Sequence, residues 1–416
     1  MANLLPVEKA RARILAAVAP LDAVPMPLLE ALDHVLAEDV VSAVTVPPLA
    51  NSSMDGYAVR AANTAGAGPD APVSLAVIGT VAAGYVYEGQ VSPGQAVRIM
   101  TGAPLPPGAD AVVRFEDTSG DAGRVAIQVA VEPGNYVRAA GQDIRAGETV
   151  VARGTLLRPA HIGVLASVSR AQVRVIRRPR VGVLATGDEL VPVGEPLGPG
   201  QIYNSNTYSM AAQVTAAGGI PVVLGIARDT RTDLMACFQR GLEAGVDIFI
   251  TSGGVSVGDF DVVKDVLQAE GGARGGGMDF WRVNMKPGKP LAFGRLGDVP
   301  HLGLPGNPVS SMVAFQQFAR PAILKMRGLT RLDPPTVEVI LDDDVPALPD
   351  ERRQYVRVVV VARANELHAR LTGNQDSGVL TSVSRANALV VVPEGESGAR
   401  AGERVLAQWI DWPAVT

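Results

Sequence analysis

The side chains best suited to chemistry follow four short apolar runs in the second half of the chain, RVGVLAT, PVVLGIA, VDIFITS and HLGL. The polar, glycine and proline residues after these runs are Asp188, Glu189, Asp229, Ser252, Gly253, Gly254, Asp259, Asp261, Pro305, Asn307 and Pro308. Because strands that alternate with helices form parallel sheets, the ends of these runs should meet at one sheet edge. The pattern predicts a ligand-binding crevice at that edge.

Several carboxylates at one sheet edge raise one another's pKa unless a cation neutralises them. Gly253 and Gly254 would let backbone N–H groups approach an anion, and the N-terminus of a following helix would add partial positive charge. Carboxylates beside such a phosphate site commonly hold Mg²⁺, which prefers hard oxygen ligands. The alternative is that these residues only cap helices, as Asp and Ser often do. We favour function for the set, while both interpretations stay open for Asp229 alone.

A proline–glycine turn in NMKPGKPLAFG carries Lys286 and Lys289. Lysines on turns are usually only solvated. This segment leads directly into the HLGLPGNP run, however, and its prolines fix its path. We therefore expect the two ammonium groups to meet an anion in the crevice.

A second set of polar residues lies between residues 45 and 158. The Thr101 hydroxyl, the Arg138 guanidinium and the carboxylates of Asp55 and Asp143 would be a useful set around an oxyanion. Each also fits an ordinary turn, since Asp-Gly, as at Asp55, is a turn dipeptide. Their separation along the chain leaves open whether the four converge.

The chain has 416 residues, 47% hydrophobic and 19% charged, which is enough for a core divided among two to four domains. A net charge of −5 argues against a general nucleic-acid binder. No apolar run approaches the roughly 20 residues of a membrane span, and no signal-peptide core precedes the first helix. A cytoplasmic, soluble protein without membrane contact is the expectation.

The single cysteine, Cys237, excludes an internal disulfide or a cysteine-rich metal site. It lies in an amphipathic helical pattern, which predicts a core position. The four histidines, His34, His161, His301 and His368, show no ligand spacing and are interpreted as structural.

Periodicity and turn signals predict three kinds of region. Short alternating runs predict a β-rich region from 45 to 158, whereas strands at 180–186, 221–227 and 246–252 alternate with helices in the manner of a parallel α/β sheet. After Gly328 a proline-containing linker leads into further strands, which predict a small β-domain. The predicted helices are 7–18, one near 27–36, 158–168, 205–217, 230–244, one that begins at Asp259, and a long one within 301–328.

Seven motifs and a tail pattern stand in a characteristic order. They are NSSMDGYAVR, RIMTGAPLPPGADAVV, GQDIRAGE, LATGDEL, TSGGVSVGDFD, KPGKP and LPGNPVSS, followed by SGVLTSVSRANALVVVPEG. Together they resemble the MoeA family of molybdopterin molybdotransferases, to which the C-terminal domain of gephyrin is related. The resemblance extends from about residue 4 to residue 410. Ala50 and Gln142 depart from it, because acidic residues are common at those positions.

The resemblance implies a multidomain α/β plus β fold of four parts. These are an elongated helical domain (1–44 with 147–178), an inserted β-rich domain (45–146), a molybdopterin-binding α/β domain (179–328) and a C-terminal β-barrel (329–416). It also implies a homodimer whose active site is shared between subunits, with the β-rich domain of one facing the α/β crevice of the other. Contacts with molybdopterin adenylyltransferase and with molybdoenzyme maturation factors are further implications.

The implied reaction inserts molybdenum from molybdate into adenylated molybdopterin, with Mg²⁺, and releases AMP. Matched residue by residue, catalysis is assigned to Asp55, Thr101, Asp143, Glu189, Asp229 and Asp261. The Mg²⁺ ligands among them are Glu189, Asp229 and Asp261. Substrate binding is assigned to Arg138, Lys286, Lys289, Pro305 and Pro308, and the sheet-edge argument adds Asp188, Ser252, Gly253, Gly254, Asp259 and Asn307.

Three alternatives remain, of which a nucleotide pyrophosphatase built on the α/β domain is weaker than the first. A molybdopterin adenylyltransferase would share the α/β domain but would not need the additional β-domains. A non-catalytic scaffold of the gephyrin kind would have no use for clustered like charges.

Overall fold

The computed structural model describes residues 4–121, 123–254 and 278–410. Asp259, Asp261 and the helix predicted to begin at Asp259 lie outside the described residues. The chain divides into two compact units, which are Pro25–Leu32 with Leu36–Arg174, and Met1–Val24 with Asp33–Val35 and Val175–Thr416. We call them the β-rich unit and the α/β–barrel unit. The four-domain division implied by the resemblance is finer and stays a prediction.

The β-rich unit is built on a six-stranded sheet. Its strands are Gly56–Val59 (β1), Val73–Val81 (β2), Gln95–Ile99 (β3), Ala111–Arg114 (β4), Thr118–Asp121 (β5) and Arg124–Ile127 (β6), in the order β4-β1-β3-β2-β6-β5. Successive residues of a strand face opposite sides. Tyr57 and Val59 accordingly pack in one buried cluster and Ala58 in another. Both faces of the sheet therefore carry core residues.

The prediction of a helix near 27–36 is wrong. That stretch contains, in order, the strand Ala23–Pro27, the 3₁₀ turn Leu28–Ala31 and the strand Val35–Leu36. Pro25 and Pro27 favour extended backbone at and before their positions. Asp33 has a φ of 60°, which interrupts a helix. Both strands pair with Gln172–Ile176 in a three-stranded sheet, and this pairing outweighs the local helical pattern.

The other helices of the first half form where they are predicted. They are Val7–Ala16 (α1) and Pro159–Ser167 (α2). The proline at the start of α2 occupies a position where no backbone donor is needed. Two short ladders complete the β-rich unit, Val40–Val41 with Thr149–Val151 and Asn51–Ser52 with Val137–Arg138.

The second unit contains the predicted parallel sheet. Its strands are Arg180–Thr186 (β7), Ile220–Ala227 (β8), Ile248–Ser252 (β9), Met278–Arg282 (β10), Pro290–Leu296 (β11) and Val299–Leu304 (β12), in the order β8-β7-β9-β12-β11-β10. The first four strands in that order run parallel, and β11 and β10 add to the edge antiparallel. Only Gly297 and Asp298 connect β11 to β12, which is too short for a parallel crossover.

Helices Ser205–Ala216 (α3) and Arg231–Glu243 (α4) begin at side-chain caps. Asn204 accepts a hydrogen bond from Thr207 N, and Thr230 accepts one from Asp233 N, both at 3.2 Å. The long helix predicted within 301–328 comprises Pro308–Ala314 (α5), the π segment Phe315–Ala319 and Arg320–Met326 (α6). Pro321 cannot supply an N–H to the helical ladder, which accounts for the wider turn immediately before it.

The C-terminal β-barrel is confirmed. Its strands are Thr336–Leu341 (β13), Arg353–Arg363 (β14), Glu366–Leu371 (β15), Ala388–Val392 (β16) and Arg404–Trp409 (β17), in the order β14-β15-β13-β17-β16. Strand β16 pairs back to β14 and closes the barrel. The segment Met285–Lys286 pairs with the first two residues of β14, so the lysine turn is attached to the barrel.

The remaining short elements lie between these. They are Leu190–Val191 paired with Ile202–Tyr203, Val345–Pro346 paired with Gly398–Ala399, the 3₁₀ turns Ala61–Thr64 and Phe115–Asp117, and the helix Thr381–Ser384 (α7). No helix among the described residues has the length and apolar character that crossing a bilayer requires.

Candidate functional site

The carboxyl ends of β7, β9 and β12 meet at one edge of the sheet, as the sequence predicts. The N–H of Gly253 donates to the carbonyl of Leu304 at 3.1 Å, which joins the end of β9 to the end of β12. Gly253 has a φ of 92°, and a Cβ there would lie 2.7 Å from the carbonyl oxygen of Thr186 at the end of β7. Only glycine allows this approach. The Thr186 hydroxyl is buried and has no hydrogen-bond partner among the described residues.

The first turn of α3 is tied to the same edge by Asn206. Its side-chain nitrogen donates to the Ser252 hydroxyl at 2.6 Å and to the Gly306 carbonyl at 2.7 Å. Ser252 is buried, while Gly253 and Gly254 are half-buried. Asn206 therefore fixes the glycine segment against the LPGNP turn, although the sequence analysis did not select it.

Acidic residues gather at the neighbouring ends of β7 and β8. The Asp229 N–H donates to Asp188 Oδ1 at 3.3 Å, and Arg228 Nη1 donates to the Asp188 carbonyl at 2.9 Å. Partial burial raises the pKa of the Asp229 carboxyl, and the negative charges of Asp188 and Glu189 raise it further. This edge thus carries negative charge that lacks full compensation.

A divalent cation fits the donor chemistry of this edge, since carboxylate oxygens are what Mg²⁺ prefers. Among residues 4–121, 123–254 and 278–410, no group of three or more His, Cys, Asp and Glu side chains is close enough to hold a metal ion. Two of the predicted ligands, Glu189 and Asp229, lie at the edge, and the third, Asp261, is outside the described residues. The Mg²⁺ assignment stays a prediction.

A cavity of about 490 Å³ lies between the lysine turn and the barrel. We call it the cationic cavity, because it is lined by three cations, Lys286, Lys289 and Arg352. Its other polar walls come from Ser310, Asn374, Gln375, Asp376 and Ser377. The predicted lysines are thus brought together around one space.

Hydrogen bonds of Arg352 and Ser377 connect the cationic cavity to the lysine turn and to the sheet edge. Arg352 donates to the Met285 carbonyl at 2.9 Å and to Asp350 at 2.6 Å. Asn307 Nδ2 donates to the Ser377 hydroxyl at 3.1 Å, so the cavity adjoins the sheet edge through a predicted site residue. Neither Arg352 nor Ser377 was selected from the sequence, although Ser377 begins the tail pattern SGVLTSVSRAN.

In the β-rich unit, Asp55 and Thr101 form a direct pair. The backbone N–H and the hydroxyl of Thr101 both donate to Asp55 Oδ1 at 2.7 Å. These bonds hold the pKa of the Asp55 carboxyl below its usual value, and the bond from the backbone N–H has the larger effect. Asp55 is therefore an ionised, exposed acceptor at neutral pH.

Arg138 adjoins this pair through backbone pairing, and Asp143 lies further along the chain. Arg138 is paired with Asn51, whose strand leads into the loop that carries Asp55. The backbone N–H of Asp143 donates to the Val46 carbonyl at 3.1 Å. Both side chains are exposed, and none of the hydrogen bonds or ion pairs described in this unit connects them to Asp55.

Cys237 lies in the core, as predicted, and three of the histidines have contacts of the kind that structural residues make. Cys237 is buried in the α/β core, and burial raises the pKa of its thiol. His301 is fully buried and lies 3.1 Å from the Thr251 hydroxyl, and burial lowers the pKa of its ring to about 3. His161 accepts a hydrogen bond at the start of α2, and His368 pairs with Asp342.

Comparison with known protein families first identifies the type of domain that contains the parallel sheet. Residues 182–325 match the profile described as "Probable molybdopterin binding domain". Residues 5–169 match the MoeA N-terminal region (domain I and II), and residues 338–409 match the MoeA C-terminal region (domain IV). The chain therefore belongs to the MoeA family.

Similar proteins extend over nearly the whole chain. A molybdopterin molybdenumtransferase of Nostoc sp. is 39% identical over 90% of this chain and 85% of its own, and a molybdopterin molybdenumtransferase 2 of Mycobacterium tuberculosis is 39% identical over 91% and 93%. The crystal structure of a molybdopterin biosynthesis MoeA protein from Pyrococcus horikoshii superposes with a TM-score of 0.83. It is 31% identical, and the match covers 98% of this chain and all of that one.

Proposed function

We propose that the protein transfers molybdenum from molybdate onto the dithiolene of adenylated molybdopterin and releases AMP, with Mg²⁺ as its metal ion. The observation that carries this proposal is the cationic cavity beside an oxygen-rich sheet edge, joined through Asn307 and Ser377. The edge suits a phosphoanhydride with its metal, and the cavity suits a small dianion. A reaction between these two reactants needs both sites next to each other.

At the sheet edge, the chain's own residues bind and orient the phosphoanhydride. The backbone N–H of Gly254 and the Ser252 hydroxyl are donors for phosphate oxygens. Asn206 holds Ser252 in place. Glu189 and Asp229 would hold Mg²⁺, which when bound neutralises the phosphoanhydride and favours departure of AMP.

In the cationic cavity, the chain's residues bind the oxyanion. Lys286 and Lys289 balance the two negative charges of molybdate, and Arg352, which is paired with Asp350, adds a further donor. The hydroxyls of Ser310 and Ser377 also line the cavity and can donate to the oxygens of molybdate. Arg352 is restrained by its hydrogen bond to the Met285 carbonyl. Its side chain therefore loses little conformational entropy when the oxyanion binds.

We further propose a homodimer in which Asp55, Thr101, Arg138 and Asp143 of one subunit complete the site of the other. The ionised Asp55, held by Thr101, would orient a donor group of the substrate. The expected setting is the cytoplasm, where contact with molybdopterin adenylyltransferase would deliver the adenylated substrate and maturation factors would receive the product.

Incubating the purified protein with adenylated molybdopterin, molybdate and Mg²⁺ tests the proposal. Release of AMP together with cofactor that activates a molybdoenzyme apoprotein is the expected result. Adenylation of molybdopterin from ATP would indicate the adenylyltransferase alternative. Absence of both reactions would indicate a scaffold.

A further inference from the structure

Arg357 is a buried cation in the C-terminal barrel, beside the loop 374–377. The residue is 1% exposed, and its guanidinium takes part in none of the ion pairs among the described residues, although the charge of Asp376 acts on it. Burial lowers the pKa of its guanidinium to about 10, which still leaves it charged at neutral pH. A buried charge without an ion-pair partner costs stability, so its hydrogen bonds must offset that cost.

The hydrogen bonds of Arg357 are directed to the loop 374–377 and its flank. Nη2 donates to the Asp376 carbonyl and Nε donates to the Ser382 hydroxyl, both at 3.2 Å. The backbone N–H of Arg357 donates to Gln375 Oε1 at 2.9 Å, and its carbonyl accepts from Gln375 Nε2 at 3.1 Å. One residue of β14 thus restrains two consecutive loop residues.

The other end of the same loop is held by the LPGNP turn and the first turn of α5. Ser377 accepts from Asn307 through its hydroxyl at 3.1 Å and from the N–H of Val309 through its carbonyl at 3.2 Å. All four residues of the loop line the cationic cavity. Its position therefore depends on Arg357 on one side and on the LPGNP turn on the other.

Arg357 also lies in the wall of an adjacent cavity of about 280 Å³. This space shares Lys286, Pro287 and Gln375 with the cationic cavity. Side chains that line both spaces thus lie between Arg357 and the cationic cavity.

We propose that Arg357 is a positioning residue for the oxyanion of the proposed function. Its guanidinium holds Asp376, and its backbone holds Gln375, so that Ser377 faces the cationic cavity; the guanidinium does not touch the oxyanion itself. This inference rests on the proposed function, because it takes molybdate as the ion that occupies the cavity.

The test compares molybdate binding, measured by equilibrium dialysis with molybdate alone, in the full-length protein and its variants. Arg357→Lys keeps the charge but cannot reach Asp376 and Ser382 together, and it should weaken binding about tenfold. Arg363→Lys is the matched control, because Arg363 lies on the same strand and is exposed. It should bind like the wild type.

Two further readouts separate positioning from a merely structural role. In Arg357→Lys, amides of residues 374–377 should exchange hydrogen faster while the barrel strands stay protected. The KM for molybdate should rise about tenfold with kcat within about twofold. Wild-type affinity and exchange in Arg357→Lys would overturn the inference, as would a lower melting temperature with unchanged molybdate binding.

A second variant keeps the test decisive if Arg357→Lys does not fold. Ser382→Ala removes one acceptor of the guanidinium outside the cavity, and it should weaken binding about threefold. Unchanged binding and loop exchange in Ser382→Ala would contradict the inference. Failure of the proposed function looks different, because the wild type would then not bind molybdate, or Lys289→Ala and Arg352→Ala would not affect binding.

Discussion

The side-chain nitrogen of Asn206 lies 2.6 Å from the hydroxyl oxygen of Ser252 and joins the first turn of α3 to the end of β9. The same nitrogen also reaches the carbonyl of Gly306 in the LPGNP turn. One side chain therefore connects three segments of the sheet edge proposed to bind the phosphoanhydride.

Asn206→Ala should lower the rate of AMP release and reduce stability. Removing the donor leaves the Ser252 hydroxyl and the Gly306 carbonyl without this partner, a loss of about 1–3 kcal/mol in the free energy of unfolding. Denaturant unfolding and AMP assays measure both effects. Ser205→Ala, on the exposed neighbour, is the control. Full activity and wild-type stability in Asn206→Ala would remove this residue from the site.

Asp229→Asn should raise stability at neutral pH while lowering activity. The folded-state pKa of Asp229 is raised above its ordinary value of 3.8, because of burial and then of Asp188 and Glu189. Its ionisation therefore opposes folding. The cost is absent below pH 3.8, grows as pH rises through the folded pKa and is complete above it.

Melting temperatures of wild type and Asp229→Asn from pH 3 to pH 8 test whether ionisation of Asp229 destabilises the folded protein. The variant should melt higher at pH 7 and the two should converge near pH 3. Asp298→Asn is the control, since this exposed residue lies in the β11–β12 hairpin at the opposite edge of the sheet. A variant that is less stable than the wild type at pH 7 would show that Asp229 is a stabilising cap.

Replacing Lys286 and Lys289 together with Ala should weaken the binding of molybdate and of the adenylated substrate. Both residues line the cationic cavity, and attraction between charges is less screened at low ionic strength. The loss of affinity should therefore be larger at about 20 mM salt, where the Debye screening length is roughly 20 Å, than at about 0.5 M salt. Lys9→Ala, an exposed lysine of α1, should change nothing. Equal affinities of the double variant and the wild type at low salt would mean that the two lysines are merely solvated.

The fold of the α/β–barrel unit was predictable because its signals are local. Strand Arg180–Thr186 is a continuous apolar run, and α4 begins at a capping threonine, so period and cap agree with the structure. The stretch near 27–36 failed because its two strands depend on pairing with Gln172–Ile176, more than a hundred residues away. Local periodicity contains no information on such pairing.

The candidate site was predictable in part for the same reason. Asp188 and Asp229 follow strands, and parallel strands end at one edge, so their proximity could be inferred. Arg352 and Ser377 enter the cationic cavity from the barrel, and no spacing rule connects a barrel loop to a lysine turn. Asn206 resembles any polar residue of a first helical turn until its two acceptors are known.

Mixed dimers test whether the site is shared between subunits. Asp55→Ala alters the β-rich half of the proposed site and Asp229→Ala the α/β half, so each homodimer should be inactive. Random mixing gives about half heterodimers with one intact site each, so activity should recover to roughly a quarter of wild type. Mixing Asp55→Ala with Thr101→Ala is the control and should restore nothing. A mixture of the first pair that exchanges subunits but stays inactive would place each site within one subunit.

The most direct test of the central claim is the ratio of AMP released to molybdenum incorporated in a single turnover. Wild-type protein is incubated with a limiting amount of adenylated molybdopterin, excess molybdate and Mg²⁺, and AMP and dithiolene-bound molybdenum are measured in the same sample. Because the account couples the phosphoanhydride edge to the cationic cavity, the two products should form at the same rate and in equal amounts. Arg352→Ala, which removes a cation from the cavity and leaves the sheet edge unchanged, should lower both together. AMP released in full without incorporation of molybdenum would contradict the account.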